Sequence, residues 1–216
     1  MTGRLLLPIA LALCAACSGT RKLVDPTLVI DTGAGRELGV STDYGIVFLG
    51  RTAQAGRIDV TAWFGDGPNV EAATIEPIGG GLYTAETEIR LPQVPLTFDD
   101  PSPGTELLVV GRRGGQLVER SVTVRSDPRV LGLLLSAPGD VAEDAELVGA
   151  GVYWIPDGDY ERRRLVGLVS GRVRIATKDG EKVYLAAYGP HDLWRLVTHR
   201  RDLLQRKRWI YRPDIL

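Results

Sequence analysis

The chain has 216 residues, 44% of them hydrophobic and 25% charged, with a net charge of −1. That is the composition of an ordinary folded protein. It excludes a low-complexity chain, and after the first residues no apolar run approaches the roughly 20 residues needed to cross a membrane.

Met1 to Arg4 is a short start with one positive charge, and Leu5 to Leu13 is an apolar run with one proline. The run is too short to span a bilayer but fits the core of a secretory signal. Leu13-Cys14-Ala15-Ala16-Cys17 then resembles the lipobox of bacterial lipoproteins, with Cys14 at the position usually held by leucine. The resemblance implies a signal peptide over 1–16, a lipid on Cys17 and a tether over 17–26. With Ser18 next, it also implies delivery to the outer membrane, facing the periplasm or the cell surface. No cysteine follows Cys17. The mature chain therefore forms no internal disulfide and relies on a hydrophobic core.

The roughly 200 residues that remain allow one large or two small domains. Ten basic residues face fifteen acidic ones between Cys17 and Pro128, and fifteen face twelve from Arg129 on. The charge break coincides with a turn signal at Ser126-Asp127-Pro128, which places a domain boundary there. Within 27–126, short apolar runs alternate with turns at regular intervals. Thr27 to Asp31 is a strand, and Tyr44 to Arg51 a buried one. Arg57 to Phe64 puts Ile58, Val60, Ala62 and Phe64 on one face, the period of a half-buried strand. Weaker strands follow at Ala72–Ile78 and Leu82–Leu91. Glu106–Arg112 and Gln116–Arg125 flank Arg113-Gly114-Gly115, a hairpin signal. About seven short strands in 100 residues predict an immunoglobulin-like β-sandwich. Gly80 to Val124 resembles the last strands of bacterial immunoglobulin-like or fibronectin-like modules.

The second domain, 129–216, reads as β-rich with a helix at its C-terminal end. Val130–Leu135, Leu147–Ile155, Leu165–Val169, Arg172–Thr177 and Lys182–Tyr188 are its strands. Asp179-Gly180 between two alternating runs is the strongest hairpin signal in the chain. Leu193, Leu196, Val197, Leu203 and Leu204 recur at helical spacing, predicting a helix over about 191–208. The fold class is thus mainly β: a sandwich followed by a smaller β-rich domain.

Leu28-Val29-Ile30-Asp31-Thr32-Gly33-Ala34 resembles the active-site signature of retropepsin-like aspartic proteases, with Asp31 as the catalytic carboxylate. Such an enzyme needs two carboxylates sharing one proton, hence a homodimer here. In the plain reading, Asp31 ends a strand and accepts backbone N–H bonds in a turn. Asp157, Asp159 and Glu161 lie in a Gly-containing loop whose alternating carboxylates could hold calcium, or simply turn the chain. His191 and His199 stand about 12 Å apart on the helix, from 1.5 Å rise per residue, too far to share a metal. No cofactor motif appears. Around the helix, Trp194, Arg195, Arg200, Arg201, Arg206, Lys207, Arg208, Trp209 and Tyr211 form a basic and aromatic set. That set suits an anionic polymer or lipid head groups.

These readings converge on a non-catalytic envelope lipoprotein acting as a binding, spacer or assembly module. The expected partners are the membrane, through its anchor, and another envelope protein or an anionic polymer; nucleic acid is excluded by the compartment. The alternative is an aspartic protease built on Asp31.

Overall fold

A computed structural model describes residues 25–52, 57–64, 67–88, 90–137, 139, 145–178 and 180–210, without the side chains of 57, 64, 145 and 207–210. The lipobox, Cys17 and Tyr211 lie outside them.

Twelve strands form two closed six-stranded antiparallel barrels. The first holds β1 (Thr27–Asp31), β2 (Arg36–Thr42), β3 (Gly45–Phe48), β4 (Arg57–Phe64), β5 (Gly67–Gly79) and β6 (Leu82–Glu86). Its spatial order is β1-β2-β3-β6-β5-β4, and β1 against β4 closes it. The second holds β7 (Glu106–Arg113), β8 (Gln116–Arg125), β9 (Leu133–Ser136), β10 (Gly151–Trp154), β11 (Arg164–Thr177) and β12 (Gly180–Tyr188). Its order is β10-β11-β12-β9-β8-β7, closed by β10 against β7. One helix, α1 (Pro190–Ile210), follows.

The mainly β character and the two β-rich units stand as the strand patterns indicated; the sandwich does not. Strands β7 and β8 bond to β10 and β9, not to any strand of the first half. Closing a sheet on itself removes the edges that a sandwich leaves open. The charge break at 126–128 consequently falls inside the second barrel, between β8 and β9, and the crossover between the barrels is the segment from 87 to 105.

Alternation explains each barrel's filling. In β4, Ile58, Val60 and Ala62 turn inward with Leu28, Ile30, Ile46 and Phe48, and all of them are buried. Leu107, Val109, Val122, Val124, Leu135, Val152 and Leu185 fill the second barrel. A third cluster joins the two barrels: Val40, Val47, Leu49 and Leu82 meet Val110, Tyr153, Leu165 and Leu168, with Leu193 and Leu196 of α1 laid over the seam. The crossover straps it. The Val94 N–H donates to Ser41 O (3.1 Å) and the Thr97 N–H to Leu165 O (3.0 Å).

Turn chemistry sets the hairpins. Arg113 pairs with Gln116 around Gly114 and Gly115, both at positive φ (55° and 85°), the geometry that a two-residue primed turn needs. At the β11–β12 hairpin, Thr177 pairs with Gly180. Gly180 (φ 112°) thus closes the turn instead of forming its centre, and Asp179 lies outside the described residues. Helix α1 starts one residue before the sequence indicated. The Asp192 carboxylate accepts the Gly189 N–H (3.1 Å) and satisfies a free donor at the helix entrance.

Candidate functional site

A concavity of about 820 Å³ opens between the barrels. Its walls come from β1, β2, the segment after β3, β4, the β7–β8 turn and the loop that leads into β10. Three features shape it.

Glu37 of β2 is nine-tenths buried, beside Thr52. Its Oε1 accepts the Thr52 hydroxyl (2.7 Å) and the Thr52 backbone N–H, while its Oε2 is buried without a hydrogen-bond partner among the described residues. Thr32 donates its hydroxyl to Thr52 Oγ1 (2.9 Å), so the two threonines and the carboxylate form one chain of bonds.

Arg112, at the end of β7, is the second feature. Its side chain is only 6% exposed and pairs with Asp25, itself 9% exposed. The guanidinium sits 3.7 Å over the Trp63 ring and also donates to the Gly115 carbonyl. A single cation thereby ties the segment before β1, the wall strand β4 and the β7–β8 turn together.

The third is the loop from Ala145 to Ala150. Gly149 has φ 87°, and a Cβ there would lie 2.6 Å from Leu38 O, so the two barrels touch backbone to backbone. Val148 faces the cleft.

Asp31 also lines this cleft, but as a turn residue. Its carboxylate accepts the Gly33 N–H (3.0 Å) and the Arg36 Nε–H (3.2 Å). The Gly33 bond, then Arg36, hold its pKa below the usual carboxylate value. The calcium candidates are occupied too: Asp159 accepts the Glu161 N–H (2.9 Å) and Asp157 faces Arg162 at 3.5 Å. Among the described residues no cluster of three metal-ligating side chains occurs.

The basic and aromatic set on α1 does not form a single face. Trp194 stacks edge-to-face on Phe98, Arg195 lies over Gly79-Gly80, and Arg200 pairs with Glu86 (3.1 Å). Arg201 approaches Asp202 at 3.8 Å, and Arg206 is exposed. Lys207, Arg208 and Trp209 lie in the last turn with side chains outside the described set. Glu37, Thr52, Trp63 and Arg112 were not singled out from the sequence. The one available signal was Arg112-Arg113 at the end of an apolar strand.

No family model matches the chain, and no curated protein matches it in sequence. Solved structures do. The MamO protease domain from Magnetospirillum magneticum superposes with a TM-score of 0.57 at 16% identity, covering 83% of this chain and 98% of that one. A protease from M. tuberculosis in an inactive form gives 0.56 at 15% identity, covering 82% and 87%. A serine protease of a human pathogenic astrovirus gives 0.53 at 14%, covering 77% and 91%. The fold is that of the chymotrypsin-like serine proteases. This overturns both functions expected from the sequence, the non-catalytic sandwich module and the Asp31 aspartic protease. It also removes the immunoglobulin-like assignment. A histidine-based triad requires an imidazole against the nucleophile. This chain has two histidines, His191 and His199, and both lie on α1 outside the cleft.

Proposed function

We propose that this chain acts on a polypeptide, held extended in the cleft between its barrels. The observation that carries the reading is the cleft itself, an open groove of about 820 Å³ between the two barrels of a protease fold. Its chemistry suits a peptide. Trp63, Val70 and Val148 offer apolar wall for side chains, and Arg36, Glu37 and Arg51 add polar groups along it. Within the cleft the Thr52 hydroxyl already donates to the Glu37 carboxylate, the kind of pairing that an activated nucleophile uses.

The test uses the soluble chain from Ser18 and a fluorescein-labelled library of unstructured peptides. Polarization reads binding, and mass spectrometry of the same samples reads cleavage. We expect saturable binding that weakens at least tenfold in Val148→Trp, which fills the groove. A library in which nothing binds refutes the proposal.

We further propose that the chain works at the cell envelope, anchored through Cys17, as the lipobox resemblance supports. The mass of the mature N-terminus isolated from a native host decides it; an unmodified Cys17 or Ser18 contradicts it.

A further inference from the structure

Outside the cleft, the described residues carry an exposed aromatic cluster. Phe98 in the crossover is 44% exposed and Trp194 on α1 is 49% exposed. Their rings meet edge-to-face at 4.9 Å, and Tyr44 stands edge-on to Phe98 at 6.4 Å. Beside them a hollow of about 270 Å³ runs along α1, lined by Tyr44, Val197, Arg200, Arg201, Leu204 and Gln205. Leu204 is itself 49% exposed. The two charged residues lining the hollow are both arginines, and Arg200 keeps its bond to Glu86 beside it.

Exposed Trp and Phe rings, backed here by the half-buried Tyr44, are poor partners for bulk water and, beside arginines, good ones for the boundary between head groups and acyl chains. The position of the patch adds a second, independent observation. The described chain begins at Asp25-Pro26, and the Pro26 carbonyl accepts the Ser41 N–H at 2.9 Å. Tyr44 follows Ser41 by three residues, so it lies at most ~10 Å along the chain from that entry point. Seven residues lie between Cys17 and Asp25, a reach of at most ~28 Å over the eight steps. The first described residues therefore stand near the aromatic cluster.

We infer that the face formed by Tyr44, Phe98, Trp194 and Leu204 lies on the bilayer that holds the anchor, with Arg200 and Arg201 toward anionic head groups. The inference rests on the proposed anchoring at Cys17 and is independent of what the cleft takes. It orients the protein: the aromatic rings rest at the membrane interface, and the body is held on a short tether instead of tumbling at its end.

The test couples the chain beginning at Cys17, through that thiol, to a maleimide lipid in vesicles containing phosphatidylglycerol. Brominated acyl chains then quench only tryptophans that reach the interface. The expected result is strong quenching of the unsubstituted chain, with more than half of the quenched signal lost in Trp194→Phe. Leu204→Asp, which keeps all four tryptophans, should also reduce quenching. Equal quenching in the unsubstituted chain and both variants, or none in any, overturns the inference. Coupling supplies the anchor in this assay, so a failure here is separate from a failure of native lipidation, which the mass of the mature N-terminus reads.

Discussion

Arg112→Leu should unfold the chain more easily by about 3–5 kcal/mol, the usual cost of breaking a buried ion pair by removing one partner. The structure gives the reason for the upper range. Both side chains are almost fully withdrawn from water, at 6% and 9% exposure. Without the guanidinium, Asp25 keeps, among the described residues, the Thr27 N–H at 3.0 Å, so a buried carboxylate is left poorly compensated. The leucine cannot reproduce the contact over Trp63 or the bond to Gly115. An exposed pair such as Arg36–Asp31, at 79% and 41% exposure, is worth only about 0–1 kcal/mol by comparison. Urea denaturation followed by circular dichroism measures the loss. The double variant Asp25→Asn, Arg112→Leu removes the stranded charge and should recover more than about 1 kcal/mol of it, as coupled sites do. A single-variant loss below about 1 kcal/mol, or a double variant equal to the sum of the singles, would refute the reasoning.

Other outcomes follow from the same geometry. Bonds from Arg129 hold Asp127 down to a pKa of about 2. Its unfolded value is about 3.9, so the pair stabilises the fold above that pH and loses its effect as the pH falls toward 2. An NMR titration should show the low midpoint in the native chain and its return upward in Arg129→Leu. Burial, then the Asp25 carboxylate, pushes the Tyr153 phenol far above its ordinary value. In a spectrophotometric titration the Tyr153 phenol should resist ionisation through the ordinary phenol range, contributing stability below about pH 10 that is lost as the pH rises above it. Gly149→Ala should cost at least about 1–3 kcal/mol in the same urea assay, because φ is 87° and the new methyl meets Leu38 O at 2.6 Å. A Gly149→Ala chain of native stability contradicts the contact between barrels.

The strands were legible because alternation and turn residues are local signals. Ile58, Val60 and Ala62 point into a barrel as their spacing required, and Gly114-Gly115 turns where a primed hairpin turn was expected. Pairing was not legible. Nothing local to Leu107 or Val109 says that β7 bonds to β10, some forty residues on, instead of to β6 before it. Seven short strands fit a sandwich as well as they fit one barrel and part of another. The charge break near Asp127 misled because net charge follows the exposed surface, and the second barrel exposes both signs. The cleft stayed hidden for the same reason: Glu37, Thr52, Trp63 and Arg112 come from four separate segments, and only barrel closure brings them together. Asp31 drew attention as a motif, yet its bonds to Gly33 and Arg36 are those of an ordinary turn.

The most direct test of the central claim is to map a bound peptide by NMR chemical-shift changes in the isotope-labelled soluble chain. The account predicts that a peptide selected from the library shifts the Thr52, Gly115 and Val148 amides and the Trp63 indole, and leaves the Trp194 indole unmoved. Shifts gathered around Trp194, or a selected peptide that moves no cleft residue, would contradict it.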